Sequence, residues 1–551
     1  MKQRIVKLAL ILAGALSMTS CSDFLDTTPT GSVSDKLIWS KAEYAELNIN
    51  SFYHIIDALG QFDTAQTAVG ISEGMTDILK YGSTKQNPHM WFANELSYGN
   101  VAAKTAAYYL GNWGWCYGKL ALLNQALSSM HEYKANFSED DFARLTAEVR
   151  FFRGFVYFEL MKRYKDIIIY DYDMQQITAN KAISSEKEGW DFVEADLKYA
   201  AENLPAASAT GRVTKWAALA LQSRAMLYAE RWDKAAKAAK TVIDEGGFEL
   251  TKNYADAWSK TRLQGNTESI LEYEYNKEGV THNFDDNFTP GGDPGRVLGA
   301  LGNPTQEMVE SYELATGGMP DWSAWHNEKG TMEIPPYDLL EPRFAATILY
   351  NGAEWKGRKI EPYEGGADGF MMWKQKPTNE GKTVTGYFLR KLVDESHDLS
   401  AYSRSVQPWI AIRYAEVLLN YAEASAKSSD PDGEKNARTA LNQVRARVGL
   451  PKVNNRGDEL LETIYHERKV ELAYEGQYYW DMRRLGKAHT AFSNYRTHGL
   501  AVEKMSDTAF KYTYIECDDQ TRYFEERLYR VPLPQDELDG NESITQYPEW
   551  M

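Results

Sequence analysis

Cysteine is almost missing from this chain: three among 551 residues, at positions 21, 116 and 517. Cys116 and Cys517 lie too far apart in sequence to announce a disulfide framework or a metal-ligand spacing. A body this long can bury enough apolar surface to stand without bridges. Long apolar runs are missing as well. The uncharged run from Leu8 to Leu16 falls far short of the roughly 20 residues that span a bilayer, and no later stretch comes close, so no membrane-spanning helix is expected in the mature chain. Positive charge is in deficit, with 61 Lys plus Arg against 78 Asp plus Glu and a net charge of -17. Nucleic acid rewards basic patches, so an acidic balance argues against it, and against direct adhesion to anionic membranes. The nine His are scattered without a metal-like cluster, and Asp430 with Asp432 is a fragment of a calcium loop already used by a turn. No metal and no cofactor is expected.

What the chain does have begins with Lys2, Arg4 and Lys7 ahead of that apolar run, then small and polar residues up to Cys21. A basic start, a short apolar core and a small-residue cleavage site describe an export signal. Met18-Thr19-Ser20-Cys21 resembles a bacterial lipobox, in which Cys21 is lipidated. Two or more acyl chains anchor firmly, at roughly 0.8 kcal/mol per buried methylene. Residues 1–20 are therefore a leader, 21–40 a polar tether, and 41–551 the body.

Helical periodicity dominates that body. Leu145, Val149, Phe152, Val156 and Leu160 recur at spacings of three and four behind a capping signal at Ser138 and Asp141. Ala218, Leu221, Ala225 and Tyr228 form one stripe, Ala236, Ala239 and Ile243 the next, and Gly246-Gly247 ends it. A second pair runs through Ile412, Ala415, Leu419 and Ala422, turns at Asp430-Pro431-Asp432-Gly433, and continues through Ala437, Leu441, Val444 and Val448. Such hairpins are tetratricopeptide-like and predict a stacked, mainly α-helical scaffold with few short strands. The helical first half runs to about residue 259. In the second half, 260–551, Lys260 to Lys382 is rich in Gly, Pro, Trp and Tyr, with a short alternating segment at Leu271–Tyr275. Long irregular excursions from a rigid scaffold carry function, so ligand contacts are expected there and in the aromatic stretch from Tyr81 to Trp115.

Several ordered motifs resemble the SusD/RagB-like nutrient-binding lipoproteins over essentially the whole chain. They include Cys21–Asp26, Trp113 with Tyr117 and Asn124, Glu148–Gly154, Pro304–Val309, Glu341–Phe344, Ile412–Glu416, Glu467–Leu472, Trp480–Arg484 and Tyr529–Pro534. Tyr478 departs from the pattern, where an Arg is common. The resemblance implies a non-catalytic glycan-binding lipoprotein on the outer membrane, facing the exterior. It also implies a partner, a SusC-like TonB-dependent β-barrel transporter over which the protein sits as a lid. Peptide uptake within the same family, a surface glycoside hydrolase, or a lid with no ligand affinity are the alternatives.

Glu467, Arg468 and Glu471 are spaced to pair along a helix and read as structural ion pairs rather than acid and base. Gly70-Ile71-Ser72-Glu73-Gly74 fits a nucleophile elbow in letters alone, since the residues before it are too polar for a buried strand. A flat indole or phenol covers the C–H face of a sugar, and polar groups bond its hydroxyl edge. By that logic Trp91, Trp322 and Trp325 are the expected stacking platforms, with Trp373 in a similar setting. Asp77 and Tyr81 are expected hydroxyl partners. Trp113, Trp216 and Trp232 are expected to pack.

Overall fold

The computed structural model describes residues 35–60, 62, 69–82, 93–172, 180–208, 211–373 and 381–551. Cys21 and Trp91 lie outside them. One continuous series of helices organises the molecule. Its first half holds α1 (Ala42–Ile49), α2 (Ala103–Tyr109), α3 (Trp113–Glu132), α4 (Glu139–Tyr164), α5 (Glu186–Asn203), α6 (Lys215–Tyr228) and α7 (Trp232–Glu245). The second half adds α8 (Tyr414–Lys427), α9 (Gly433–Arg447), α10 (Gly457–Glu471) and α11 (Tyr478–Arg484). From α3 to α10 each helix packs on its predecessor, and α8 packs directly on α7 although residues 246–413 intervene. The two hairpins recognised in the sequence are therefore neighbours in one stack.

Local chemistry sets the helix ends. Ser138 Oγ accepts the Asp141 amide at 3.1 Å to start α4. Glu139, Asp140 and Asp141 occupy its first turn and Lys162 and Arg163 its last, each sign complementing the helix dipole. Ser185 and Glu188 form a reciprocal capping box on α5. Small residues let the seams close: Ala235, Ala238 and Ala239 on α7 are buried, as are Ala415, Ala422 and Ala424 on α8. At Gly189 a Cβ would meet Met161 Sδ at 2.3 Å, so any larger residue there would have to displace the end of the Met161 side chain. Arg224 on α6 donates from Nε and Nη2 to the two carboxylate oxygens of Glu416 on α8, both at 2.6 Å. Asn420 Nδ2 adds a bond to Ser223 Oγ at 3.1 Å.

The excursion between α7 and α8 is closed at its root. β2 (Ser269–Tyr273) pairs antiparallel with β4 (Trp409–Arg413), one near the exit and one at the return. The expected strand at Leu271–Tyr275 thus lies two residues earlier. β1 (Leu79–Tyr81) pairs with β3 (Gly302–Pro304), and β5 (His498–Lys504) with β6 (Phe510–Glu516). Val69–Gly74 is helical, so the whole of Gly70–Gly74 lies within a helix and not on the strand-to-helix turn of a nucleophile elbow.

A buried charge network welds the excursion to the stack. Glu471 accepts from Arg413 at 2.7 Å, from Arg343 at 3.0 Å and from Arg447. Glu467 accepts from Arg343 at 2.6 Å and Arg445 at 3.0 Å. Glu268, from the excursion, meets Arg447 at 2.6 Å and Arg413 at 3.2 Å. The carboxylates read as structural in the sequence are part of this network. Outnumbered by guanidinium groups despite its burial, Glu471 stays well below the usual carboxylate range.

Candidate functional site

The residues expected to bind fall into two groups. Trp322 and Trp325 do meet, edge to face with centroids 5.6 Å apart. Trp322 also leans on Tyr337, whose ring stacks on Phe344. Both indoles are buried, at 5 and 9 % exposure, and Trp325 Nε1 donates to the Glu333 carbonyl at 2.9 Å. Around β1, Tyr81 and Trp373 are buried, and the Trp373 ring lies 3.7 Å from Lys80 Nζ. Lys80 donates to Asp518 Oδ1 at 2.5 Å, and Arg522 holds the other oxygen at 2.8 Å. Burial pulls Lys80 down to about 8 against the pull of Asp518. Asp77 is half-buried and accepts from Lys469 at 2.7 Å. As placed, these side chains face protein, and a stacking role for the rings requires the loops around them to part. Trp113 and Trp216 are buried as expected, and Trp232 is packed against the core.

Open aromatic surface occurs at the other end of the stretch singled out in the sequence. α2, the start of α3 and the segment Leu533–Asp536 enclose a cleft of about 640 Å³, within the range of small-ligand sites. Tyr108 is 66 % exposed and meets Tyr109 edge to face at 4.8 Å. Trp115, half-buried on the first turn of α3, supplies a third ring. The floor is rigid. Tyr164 OH accepts the amides of Asn112 at 3.1 Å and Trp113 at 3.2 Å, and Trp113 Nε1 donates to Glu537 at 3.0 Å. Gly111 has no alternative, because a Cβ would lie 2.2 Å from the Ala107 carbonyl oxygen and 2.6 Å from Tyr164 OH. Gln546 clamps Leu533 through its amide and carbonyl, at 3.1 and 2.9 Å.

One side chain in this lining lacks what burial demands. Asn112 is 5 % exposed, and neither its Oδ1 nor its Nδ2 has a partner among the described residues. A buried amide with both ends unsatisfied is expensive unless something bonds it. Three rings for C–H faces and an amide offering a donor and an acceptor are what a sugar uses. Tyr108, Tyr109 and Trp115 were inside the flagged stretch but not individually recognised. Asn112 carries no sequence signal, since its want of partners exists only in three dimensions.

Two family models account for nearly all of the body. One, described as the SusD family, matches residues 267–550, and one described as starch-binding and associating with outer membrane matches residues 23–227. The chain belongs to the SusD family. A SusD-like protein of Bacteroides ovatus is 24 % identical over 98 % of this chain and 95 % of its own. One from Formosa agariphila is 24 % identical, covering 96 % of both. Among solved structures, a SusD-like protein from Bacteroides fragilis aligns with a TM-score of 0.77 at 28 % identity, over 94 % of this chain and 98 % of that one. A SusD-like carbohydrate binding protein from the same species gives 0.76 at 24 %, over 92 and 100 %. The mainly helical stack is thus the SusD fold, in a family associated with the outer membrane. No helix among the described residues is long and apolar enough to cross a membrane, and none of their His, Cys, Asp and Glu side chains form a group fit to hold a metal ion.

Proposed function

We propose that this SusD-family chain is a non-catalytic, lipid-anchored glycan-binding protein. It captures oligosaccharide at the cell surface and delivers it to a SusC-like TonB-dependent β-barrel transporter. The observation that carries the reading is the cleft at α2 and α3, lined by Tyr108, Tyr109 and Trp115 together with Asn112, whose buried amide is unsatisfied among the described residues. Stacking at an open surface gives weak binding with quick release, which suits hand-over better than tight capture. Glycoside hydrolysis usually calls on two carboxylates flanking the bond, and the described lining supplies one, Asp536. Cys21 is the proposed lipid attachment, which leaves the acidic body free of the membrane surface. Trp91 is kept in the proposal as a further ring in the same sequence stretch.

Affinity gels cast with neutral polysaccharides test the reading. Tyr108→Ala with Trp115→Ala is expected to abolish retardation of the purified chain, and Asn112→Ala to reduce it. Unchanged retardation would move the site elsewhere, and retention of peptides instead of glycans would replace the cargo. Release of reducing sugar by the purified chain would make it an enzyme. Purification from native outer membrane is expected to bring the barrel with it, and Cys21→Ala to release the protein from the membrane.

A further inference from the structure

A second cleft, of about 560 Å³, opens where the end of α4, the start of α5, the α6–α7 turn and α11 meet. Its lining carries six basic side chains and two carboxylates in a chain whose net charge is -17. Most of the basic groups are already answered. Arg484 binds both oxygens of Glu423 at 2.6 Å, Arg231 meets Asp191 at 2.7 Å and Glu194 at 2.5 Å, and Lys162 meets Glu159 at 2.7 Å.

Arg483 is not answered. It is 6 % exposed, its Nε and Nη2 have no partner among the described residues, and Nη1 reaches the Lys162 carbonyl at a long 3.4 Å. Its neighbours are the faces of Trp480, at 4.7 Å, and Tyr479, at 5.7 Å. Burial without an adjacent carboxylate pulls its pKa below the usual guanidinium range. Trp190, 5 % exposed in the same lining, holds a second unpartnered donor at Nε1. Two buried groups that can only donate, one of them charged, call for a negatively charged acceptor. A guanidinium with free Nε and Nη2 presents the fork that fits the two oxygens of a carboxylate or sulfate. The Tyr228 and Tyr529 side chains, both half-buried, give the lining aromatic surface beside the charge.

We propose that this cleft is an oxyanion site that takes the carboxylate or sulfate group of an acidic sugar, with Arg483 as its anchor and Trp190 Nε1 as a second donor. The oxyanion chemistry stands on the orphaned donors alone; its assignment to a sugar rests on the glycan reading above.

Calorimetric titration of the purified full chain with glucuronate, glucose 6-sulfate, glucose and inorganic sulfate tests both parts. The two acidic sugars are expected to bind, and glucose at least about tenfold more weakly. Arg483→Met is expected to remove the acidic-sugar signal while neutral-polysaccharide retardation, which reads the Tyr108 cleft, persists. Trp190→Phe keeps the ring and deletes one donor, and a several-fold weakening is expected if Arg483→Met fails to fold. Acidic-sugar binding unchanged in these variants, or no binding of any oxyanion, overturns the proposal. Inorganic sulfate binding as tightly as the sugars, and lost in Arg483→Met, overturns the sugar assignment and leaves an oxyanion site for an acidic peptide or free ion. Binding of the acidic sugars by the unaltered chain, without its retardation by any neutral polysaccharide, would sink the Tyr108 cleft alone.

Discussion

Arginine is buried in two quite different ways in this molecule. Arg343 and Arg413, each 1 % exposed, sit between carboxylates of the stack and the excursion, and nearly every donor they own is spent. Arg483, only slightly more exposed, faces aromatic rings and a distant carbonyl. Burial of charge is common to both, so burial does not separate structure from function. Compensation does. The first cluster is closed, with little left to offer a ligand, whereas the second holds a cation for which the described residues supply no counter-charge.

The largest test of that contrast is Glu471→Ala, which leaves three guanidinium groups short of a carboxylate. A loss of about 3–5 kcal/mol is expected in chemical denaturation, and a loss under about 1 kcal/mol would mean the network does not hold the excursion. Trp322→Ala is expected to destabilise by about 3–4 kcal/mol through its cavity, with glycan retardation unchanged, because that ring is packed. Acid sharpens the comparison at Arg484, which sits beside Arg483 but is paired. Burial alone would raise the Glu423 carboxyl, but Arg484, Arg468 and Lys427 outweigh it and hold it at about 2, below its unfolded value. Its contribution is therefore complete above about pH 4.5 and is lost as pH falls toward 2, a loss on the order of a few kcal/mol that Glu423→Gln removes from the pH–stability curve. Arg483→Met is expected to have the opposite sign, raising ligand-free stability by about 1 kcal/mol, because an unpaired buried charge is replaced by an apolar chain of similar length. Tyr108→Ala is the smallest, within about 0.5 kcal/mol, since an exposed ring supports little packing.

Much of the scaffold was legible in the sequence because helices announce themselves locally. The stripe through Leu145, Val149 and Phe152, the cap at Ser138 and the turn at Asp430–Gly433 all depend on near neighbours. The continuity of α7 with α8 was not legible, because nothing in residues 246–413 records where the chain re-enters. Glu467 and Glu471 were rightly read as structural, yet their partners Arg343 and Arg413 are distant in sequence. Irregular segments have no period from which to infer burial, so Trp322 and Trp325 looked like surface rings. The excursion folds on itself and gathers them with Tyr337 and Phe344. Tyr108 sits on the short helix α2 and Trp115 on the first turn of α3, where the same letters would suit a core.

The pairing of β2 with β4 has a consequence for how such a chain diversifies. Departure and return are stitched together, and Phe248 and Tyr414 bring their rings within 6.5 Å across that junction. Lengthening the segment between them by a factor of two adds only about 0.6 kcal/mol of closure entropy. The helices on either side need not register the change. New tips can be tried on an old frame while the clamp at its root stays in place.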